Sequence, residues 1–133
     1  MTVDHVGIAV ASIDRALPFY EKALGLTPVH REEVASQKVR VAFLQAGETA
    51  LELLEPTGEE GAIAKFLKTR GPGLHHVAFS TKKIDERMKR LVQIGLPPLE
   101  AAARPGARGH KVCFLHPKFA DGVLIELVEP AHG

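Results

Sequence analysis

The chain has 133 residues, of which 45% are apolar and 25% are charged, a composition typical of a folded domain rather than of a disordered, collagen-like or coiled-coil chain. Its 17 basic and 16 acidic residues leave a net charge of +1, which gives no positive field to hold a nucleic acid. No apolar run approaches the roughly 20 residues that span a bilayer, and no basic leader precedes the first apolar run, so we expect a cytoplasmic protein that binds neither nucleic acid nor membrane.

The first half of the chain predicts a strand, a helix and further strands. Residues 3–10 are short, apolar and bounded by polar residues, as a strand should be. Apolar residues at helical spacing follow, between Ser12, which is placed to cap a helix, and Gly25, which is placed to end it. Pro18 lies inside this helix and predicts a kink or a late start. The remaining strands are predicted at 27–34, 39–45 and 49–56.

A connector and a second set of elements complete the chain. Residues 57–73 contain a short amphipathic helix that Gly71 should end. A strand at 75–81 and a helix that begins near Ile84 and ends at Gly95 follow it. The remaining strands are predicted near 97–103 and at 111–117 and 122–130. The single cysteine, Cys113, lies in an apolar run and is expected to be an inert core residue.

The two halves repeat one another. An offset of 71 positions aligns DHVGIAVASID at 4–14 with HHVAFSTKKID at 75–85, and the closing strands LELLEP at 51–56 and IELVEP at 125–130 also match. A repeat of this kind predicts two copies of one β-α-β-β unit, with room for a further short strand near 27–34 or 97–103. We expect one domain over residues 1–133, divided into a first module (1–56), a connector (57–73) and a second module (74–133).

Four residues of metal-binding type occupy repeat-equivalent positions. His5 and His76 open the first strand of each half, and Glu52 and Glu126 lie in the last strand. Each carboxylate lies inside an apolar strand, where an unpaired charge is costly, and two imidazoles with two carboxylates suit a divalent transition metal. A single histidine or glutamate in a strand is more often packed or exposed than bound to metal, but four matched residues favour a shared metal site about a pseudo-twofold axis. His75 faces the other way and is expected to be structural.

The paired modules with these four residues resemble the vicinal oxygen chelate superfamily, which includes glyoxalase I, extradiol dioxygenases, bleomycin-resistance proteins and the methylmalonyl-CoA epimerases. The similarity to the epimerases covers nearly the whole chain, and its most specific segment is FLHPKFADGVLIEL at 114–127. The resemblance implies a glyoxalase-like α+β fold in which two tandem βαβββ modules form a partly closed mixed β-barrel with a cleft.

The same resemblance implies an isomerase that interconverts (R)- and (S)-methylmalonyl-CoA by removing the proton at C2 through a metal-stabilised enolate. Its metal ligands fall on His5, Glu52, His76 and Glu126. We expect one divalent ion, Co²⁺ first, with Ni²⁺, Zn²⁺ or Mn²⁺ as alternatives. Glu126 is the first candidate for the catalytic base and Glu52 the second. An acyl-CoA substrate and a homodimer complete the expectation.

Basic residues offer candidate contacts for the phosphorylated tail of coenzyme A. The loop at 97–111 contains Arg104, Arg108 and Lys111 among Gly, Pro and Ala, the composition of a mobile lid. Lys118 is a further candidate, for the substrate carboxylate or a phosphate. A solvated basic surface is the alternative interpretation for each of them.

The second catalytic base and the reaction itself leave alternatives open. Some relatives carry a catalytic carboxylate on the strand written QKVRVAF at 37–43, where Lys38 and Arg40 are the nearest candidates in this chain. A glyoxalase I-type lyase acting on a hemithioacetal would use the same ligand set. A metal-free small-molecule binding protein of the same fold is a third possibility, against which the costly burial of four ligand-type residues argues.

Overall fold

The computed structural model describes residues 1–131, which form eight strands and three α-helices. The strands are β1 (Thr2–Ala9), β2 (Thr27–Val34), β3 (Val39–Ala46), β4 (Thr49–Pro56), β5 (Gly73–Ser80), β6 (Arg104–Pro105), β7 (Lys111–Leu115) and β8 (Ile125–Glu129). The helices are α1 (Ile13–Pro18), α2 (Ala62–Arg70) and α3 (Ile84–Gln93). The α+β class and the tandem βαβββ order are confirmed. No helix within residues 1–131 combines the length and apolar character that a membrane crossing requires.

The chain divides into two compact units whose boundary falls inside β1. The N-terminal unit comprises His5–His75, and the C-terminal unit comprises Met1–Asp4 with the chain from His76 onward. These bounds differ from the predicted modules, because the first four residues group with the second half of the chain. The last two residues of the predicted second module, 132 and 133, lie outside the described residues.

The N-terminal unit contains a four-stranded sheet in the order β2-β3-β4-β1. β1 runs parallel to β4, and β3 runs antiparallel to both of its neighbours. One face packs against α1, and the core between them consists of Val10, Ile13, Leu17, Ala42, Leu44 and Leu53. The opposite face buries Val39, Val41 and Phe43, because alternate residues of β3 point to opposite sides of the sheet. We call this second side the site face of the N-terminal unit.

Pro18 changes the helix in a way that the sequence did not reveal. The helix begins at Ile13, where the Ser12 side chain accepts a hydrogen bond from the Arg15 amide at 3.3 Å, so of the two predicted alternatives, a kink or a late start, the late start is excluded. After Pro18 the chain continues as a π-helical segment, Phe19–Ala23. Proline has no amide hydrogen to donate to the preceding turn, and the hydrogen bonds beyond it widen to five residues. Gly25 then ends the segment with a φ of +70°.

The C-terminal unit contains the strands β5, β8, β7 and β6 in that order. β5 runs parallel to β8, and β7 runs antiparallel to β8 and β6. α3 packs on one face, where Ile84 and Met88 meet Cys113 and Leu127. The strand predicted near 97–103 is misplaced, since β6 is a two-residue strand at Arg104–Pro105. Earlier residues of the loop bind the edge of β7 in another way: the Leu99 amide donates to the Phe114 carbonyl at 2.8 Å.

Cys113 is fully buried in the core beneath α3, as the sequence predicts. Burial raises the pKa of its thiol to about 12, and the carboxylates of Glu100 and Glu126 add to the shift. Because the thiolate is the reactive form, the folded protein keeps this cysteine inert at neutral pH.

A second glutamate in each closing strand anchors the helix of its own unit. Glu55 Oε1 accepts a hydrogen bond from the Ile13 amide at 2.8 Å, and Glu129 Oε1 accepts one from the Ile84 amide at 3.0 Å. The repeat thus reproduces the same carboxylate at the same helix start, where unpaired amide groups and the helix dipole favour a negative charge. The sequence aligns these residues but does not reveal this role.

Replacing Glu129 should measure what this anchor contributes. Glu129→Ala leaves the first amides of α3 without their carboxylate partner, and we expect it to lower the free energy of unfolding by about 1–2 kcal/mol. Urea denaturation followed by circular dichroism checks the change. The matched control is Glu48→Ala in the exposed turn between β3 and β4, which should change stability by less than about 0.5 kcal/mol. Equal effects of the two substitutions would contradict the anchoring role.

Candidate metal centre

In the N-terminal unit, His5 and Glu52 form a buried pair. The Nε2 atom of His5 lies 3.2 Å from Oε1 of Glu52, and the two residues are 3% and 5% exposed. Their strands are parallel neighbours in which Gly7 is the register partner of Glu52, so His5, two residues earlier, lies on the same face. Leu53, the next residue of β4, faces the α1 core, so Glu52 points to the site face.

The C-terminal unit repeats this arrangement with His76 and Glu126. The Nε2 atom of His76 lies 3.2 Å from Oε1 of Glu126, and both side chains are buried. Ala78 of β5 is the register partner of Glu126 on β8, which again places the histidine two residues away on the carboxylate's face. The repeat therefore conserves both residue types and their geometry within each unit.

A phenylalanine completes each pair, and sequence reasoning did not assign it to the site. The Phe43 ring meets the His5 ring edge-on at 5.7 Å, and the Phe114 ring meets the His76 ring edge-on at 6.0 Å. Each phenylalanine is also the cross-strand partner of the glutamate in its unit. The signal was present, because the repeat aligns the two phenylalanines. They fix the imidazole orientation and give the carboxylates apolar neighbours.

These side chains offer ligand atoms that suit a divalent metal ion. Each unit offers one imidazole nitrogen and one carboxylate, buried beside an aromatic ring. Burying a carboxylate without a positive partner costs several kcal/mol, and a metal cation supplies more positive charge than a histidine can. Nitrogen and carboxylate oxygen together favour borderline transition-metal ions over Ca²⁺ or Mg²⁺.

The basic residues predicted to bind coenzyme A differ from one another in what their charged groups contact. The Arg104 guanidinium lies 5.6 Å over the Phe114 ring, next to the His76 pair. Arg108 Nη2 donates to Asp4 Oδ2 at 2.6 Å, and Lys111 Nζ lies 3.9 Å from a carboxylate of α3. Lys118 is exposed in the turn after β7, with its ammonium 5.5 Å from the Phe119 ring centroid.

Lys38, directly before β3, and Arg40, on β3, both pair with carboxylates other than Glu52. Arg40 Nη1 donates to Glu55 Oε2 at 3.0 Å on the α1 side of the sheet, and Lys38 Nζ donates to Glu60 Oε2 at 2.6 Å. The site face at this place is occupied by Val41, which is 1% exposed. His75 makes an edge-on ring contact with Phe66 of α2 at 5.0 Å, in keeping with its predicted structural role.

A second histidine–glutamate pair lies on the site face of the N-terminal unit, and sequence reasoning did not identify it. His30 Nε2 and Glu32 Oε1 on β2 are 2.9 Å apart. His30 is the cross-strand partner of Phe43, and the two rings are 6.2 Å apart. Because β2 has no sequence counterpart in the second half, comparison of the halves could not identify this pair.

Residues 4–114 match the Glyoxalase/Bleomycin resistance protein/Dioxygenase superfamily. The uncharacterized protein YqjC of Bacillus subtilis is 44% identical, with 96% of this chain and 91% of that protein covered. The structure of methylmalonyl-CoA epimerase from Mycobacterium tuberculosis is 42% identical, with a TM-score of 0.94 over 98% of this chain and 88% of that chain. A Streptomyces coelicolor methylmalonyl-CoA epimerase variant in complex with 2-nitronate-propionyl-CoA is 38% identical, with a TM-score of 0.95 over 98% of both chains. The chain therefore belongs to the glyoxalase/bleomycin resistance protein/dioxygenase superfamily and, within it, to the methylmalonyl-CoA epimerase family.

Proposed function

We propose that this chain epimerises methylmalonyl-CoA at C2 and that His5, Glu52, His76 and Glu126 bind one divalent metal ion for the reaction. The observation that carries the proposal is the repeated buried pair, with the same 3.2 Å contact between imidazole nitrogen and carboxylate oxygen in each unit. Two ligands from each unit would together supply the four protein donors of a metal site with positions left for substrate. Co²⁺ is the ion that we propose first.

The ligand of the Streptomyces coelicolor relative supports the chemistry. That protein binds 2-nitronate-propionyl-CoA, and a nitronate is a planar anion. The carbon of a thioester that has lost its α-proton is planar and anionic in the same way, and enzymes bind such species more tightly than their substrates. The divalent ion, when bound, supplies positive charge where the thioester oxygen becomes negative.

Glu126 is the carboxylate that we propose as the first catalytic base. It is 6% exposed, lies in hydrogen-bond reach of His76 and has Phe114 as its cross-strand partner. Glu52 is the second candidate, although in both residues the role of metal ligand competes with that of base.

Isotope exchange tests the activity directly. Protein stripped of metal with a chelator and reloaded with Co²⁺ should exchange the C2 hydrogen of methylmalonyl-CoA with deuterium in D₂O, as followed by mass spectrometry. It should leave the hemithioacetal of methylglyoxal and glutathione unchanged. Isomerisation of the hemithioacetal without C2 exchange would select a glyoxalase I-type lyase, and absence of both reactions would contradict an enzymatic role at this site.

Removal of a single imidazole should release the metal. His5→Ala and His76→Ala each delete one nitrogen donor, so we expect each variant to lose most of its bound Co²⁺ while remaining folded. Elemental analysis after gel filtration gives the metal content. His116→Ala, an exposed histidine in the turn after β7, is the matched control and should keep its metal. Full occupancy in either of the first two variants would show that the histidines are structural.

The Glu126→Gln variant distinguishes the role of Glu126 as metal ligand from its role as catalytic base. Glu126→Gln keeps an oxygen that can coordinate the ion but cannot accept a proton, so metal should remain bound while C2 exchange falls by about 100-fold or more. Glu86→Gln, an exposed carboxylate on α3, is the control. Near-normal exchange by metal-loaded Glu126→Gln would exclude Glu126 as the base.

A further inference from the structure

The proposed epimerisation needs a second acid–base group, and Glu52 is poorly placed to be that group. Inversion at C2 requires a proton to leave one face of the carbon and another to arrive at the opposite face. The Glu52 side chain is only 7% exposed and contacts His5, and in our proposal it is a metal ligand. A carboxylate bound to a cation gives up basicity, because the ion stabilises its charged form, and this applies to Glu126 as well as to Glu52. A second acid–base group outside the proposed ligand set would not carry that cost.

Another carboxylate of the N-terminal unit lies on the same face of the sheet. Glu32 of β2 is the register partner of Val41, and Val41 is the register partner of Leu54 on β4. Phe43 and Glu52 are the next cross-strand pair of β3 and β4 on that same face. Directly opposed residues of antiparallel strands point to the same side, so Glu32 shares the site face with Glu52.

Ring contacts connect this carboxylate to the proposed metal ligands. The His30 imidazole is 6.2 Å from the Phe43 ring, and the Phe43 ring is 5.7 Å from His5. His30 Nε2 lies 2.9 Å from Glu32 Oε1, which holds the carboxylate in one orientation. The row His30, Phe43, His5 therefore runs across the site face from the edge strand to the ligand pair.

Glu32 combines this position with access. Its side chain is 30% exposed, against 7% for that of Glu52, so a substrate and exchanging water can reach it. Its neighbour Glu33 points to the other side of the sheet, where Oε1 lies 3.6 Å from Arg40 Nε. The two consecutive glutamates therefore differ in the face that they occupy and in their partners.

The position of the C-terminal unit that is equivalent to Glu32 carries a positive charge. There Arg104 of β6 is the register partner of Val112, and Val112 corresponds to Val41 at the repeat offset of 71 positions. A guanidinium donates hydrogen bonds but does not accept a proton. Of these two equivalent positions, the one on β2 can carry out proton transfer, and the one on β6 can bind an anion.

We infer that Glu32 is the acid–base residue of the N-terminal unit, acting at the C2 face opposite to that served by Glu126; this inference rests on the proposed epimerase function. In one direction a Glu32 carboxylate oxygen takes the C2 proton, and the C–H electron pair moves into the thioester to form the enolate. Protonated Glu126 then gives its proton to the opposite face and becomes the carboxylate. The reverse reaction exchanges the two roles, and no other reactant is consumed.

Substitution of adjacent glutamates tests the assignment. Glu32→Gln should lower the interconversion of the two epimers by about 100-fold or more while its metal content stays that of the wild type. One epimer should still exchange its C2 hydrogen with D₂O, because Glu126 continues to serve that face, and the other epimer should not. Glu33→Gln is the matched control and should interconvert the epimers like the wild type.

The outcomes separate this inference from the proposed function. If Glu32→Gln interconverts the epimers as fast as Glu33→Gln, or if it loses exchange from both epimers while folded and metal-loaded, the assignment of Glu32 is wrong and the epimerase function stands. A Co²⁺-loaded wild-type protein that exchanges neither epimer would overturn both proposals.

His30 is a positioning residue that orients the Glu32 carboxylate, and kcat measures this role. His30→Ala should lower kcat with little change in KM, because it frees the carboxylate without removing it. His30→Gln retains a side-chain donor for Glu32 Oε1 and should restore most of kcat. Equal kcat values for the two variants would contradict the positioning role.

Discussion

Each unit buries a carboxylate beside an imidazole, and the pairing of its strands is arranged around that contact. Glu52 and Glu126 are 5% and 6% exposed, and their strands are otherwise apolar. A carboxylate in such a place lowers stability by several kcal/mol unless positive charge or hydrogen bonds compensate it. Each histidine places its Nε2 atom 3.2 Å from the carboxylate, and the proposed divalent ion would supply positive charge. Retention of two such costly carboxylates in the fold is the reason that we propose a chemical role for them.

Strand register is the physical means by which each unit builds its pair. The parallel pairing of β1 with β4 and of β5 with β8 places a histidine and a glutamate on one face, two residues apart in register. The antiparallel neighbour then adds a phenylalanine opposite the glutamate. The helix on the other face is fixed by the glutamate three residues further along the strand, Glu55 or Glu129, whose carboxylate accepts a hydrogen bond from the first helical amide. One short motif at the end of each half thus serves both the site and the helix.

Much of this could be predicted from the sequence because the repeat carries the information. It identified the two histidines, the two glutamates and the β-α-β-β part of each half. The resemblance implied the βαβββ module and the superfamily, which the match over residues 4–114 confirms. Periodicity could not show that the hydrogen bonds after Pro18 widen into a π-helical segment, since that depends on a single missing donor. The strand expected near 97–103 was displaced because the edge of β7 is occupied there by Leu99 and Glu100.

The part of the site that differs between the halves was the part that sequence comparison missed. Glu32 and Arg104 hold equivalent places opposite Val41 and Val112, but they lie on strands without detectable sequence similarity and have opposite charges. Their equivalence becomes visible only through cross-strand register. The two units share the histidine–glutamate pair but differ in these outer residues, because Arg104 can bind an anion whereas Glu32 can also transfer a proton.

The number of metal ions bound per chain shows whether the two histidine–glutamate pairs share one ion. Chelator-treated protein titrated with Co²⁺, followed by visible absorption and elemental analysis, should saturate at one ion per chain, because we propose that the two histidine–glutamate pairs complete a single coordination sphere. Saturation at two ions per chain, or failure to bind Co²⁺, Ni²⁺, Zn²⁺ or Mn²⁺ at all, would contradict that claim.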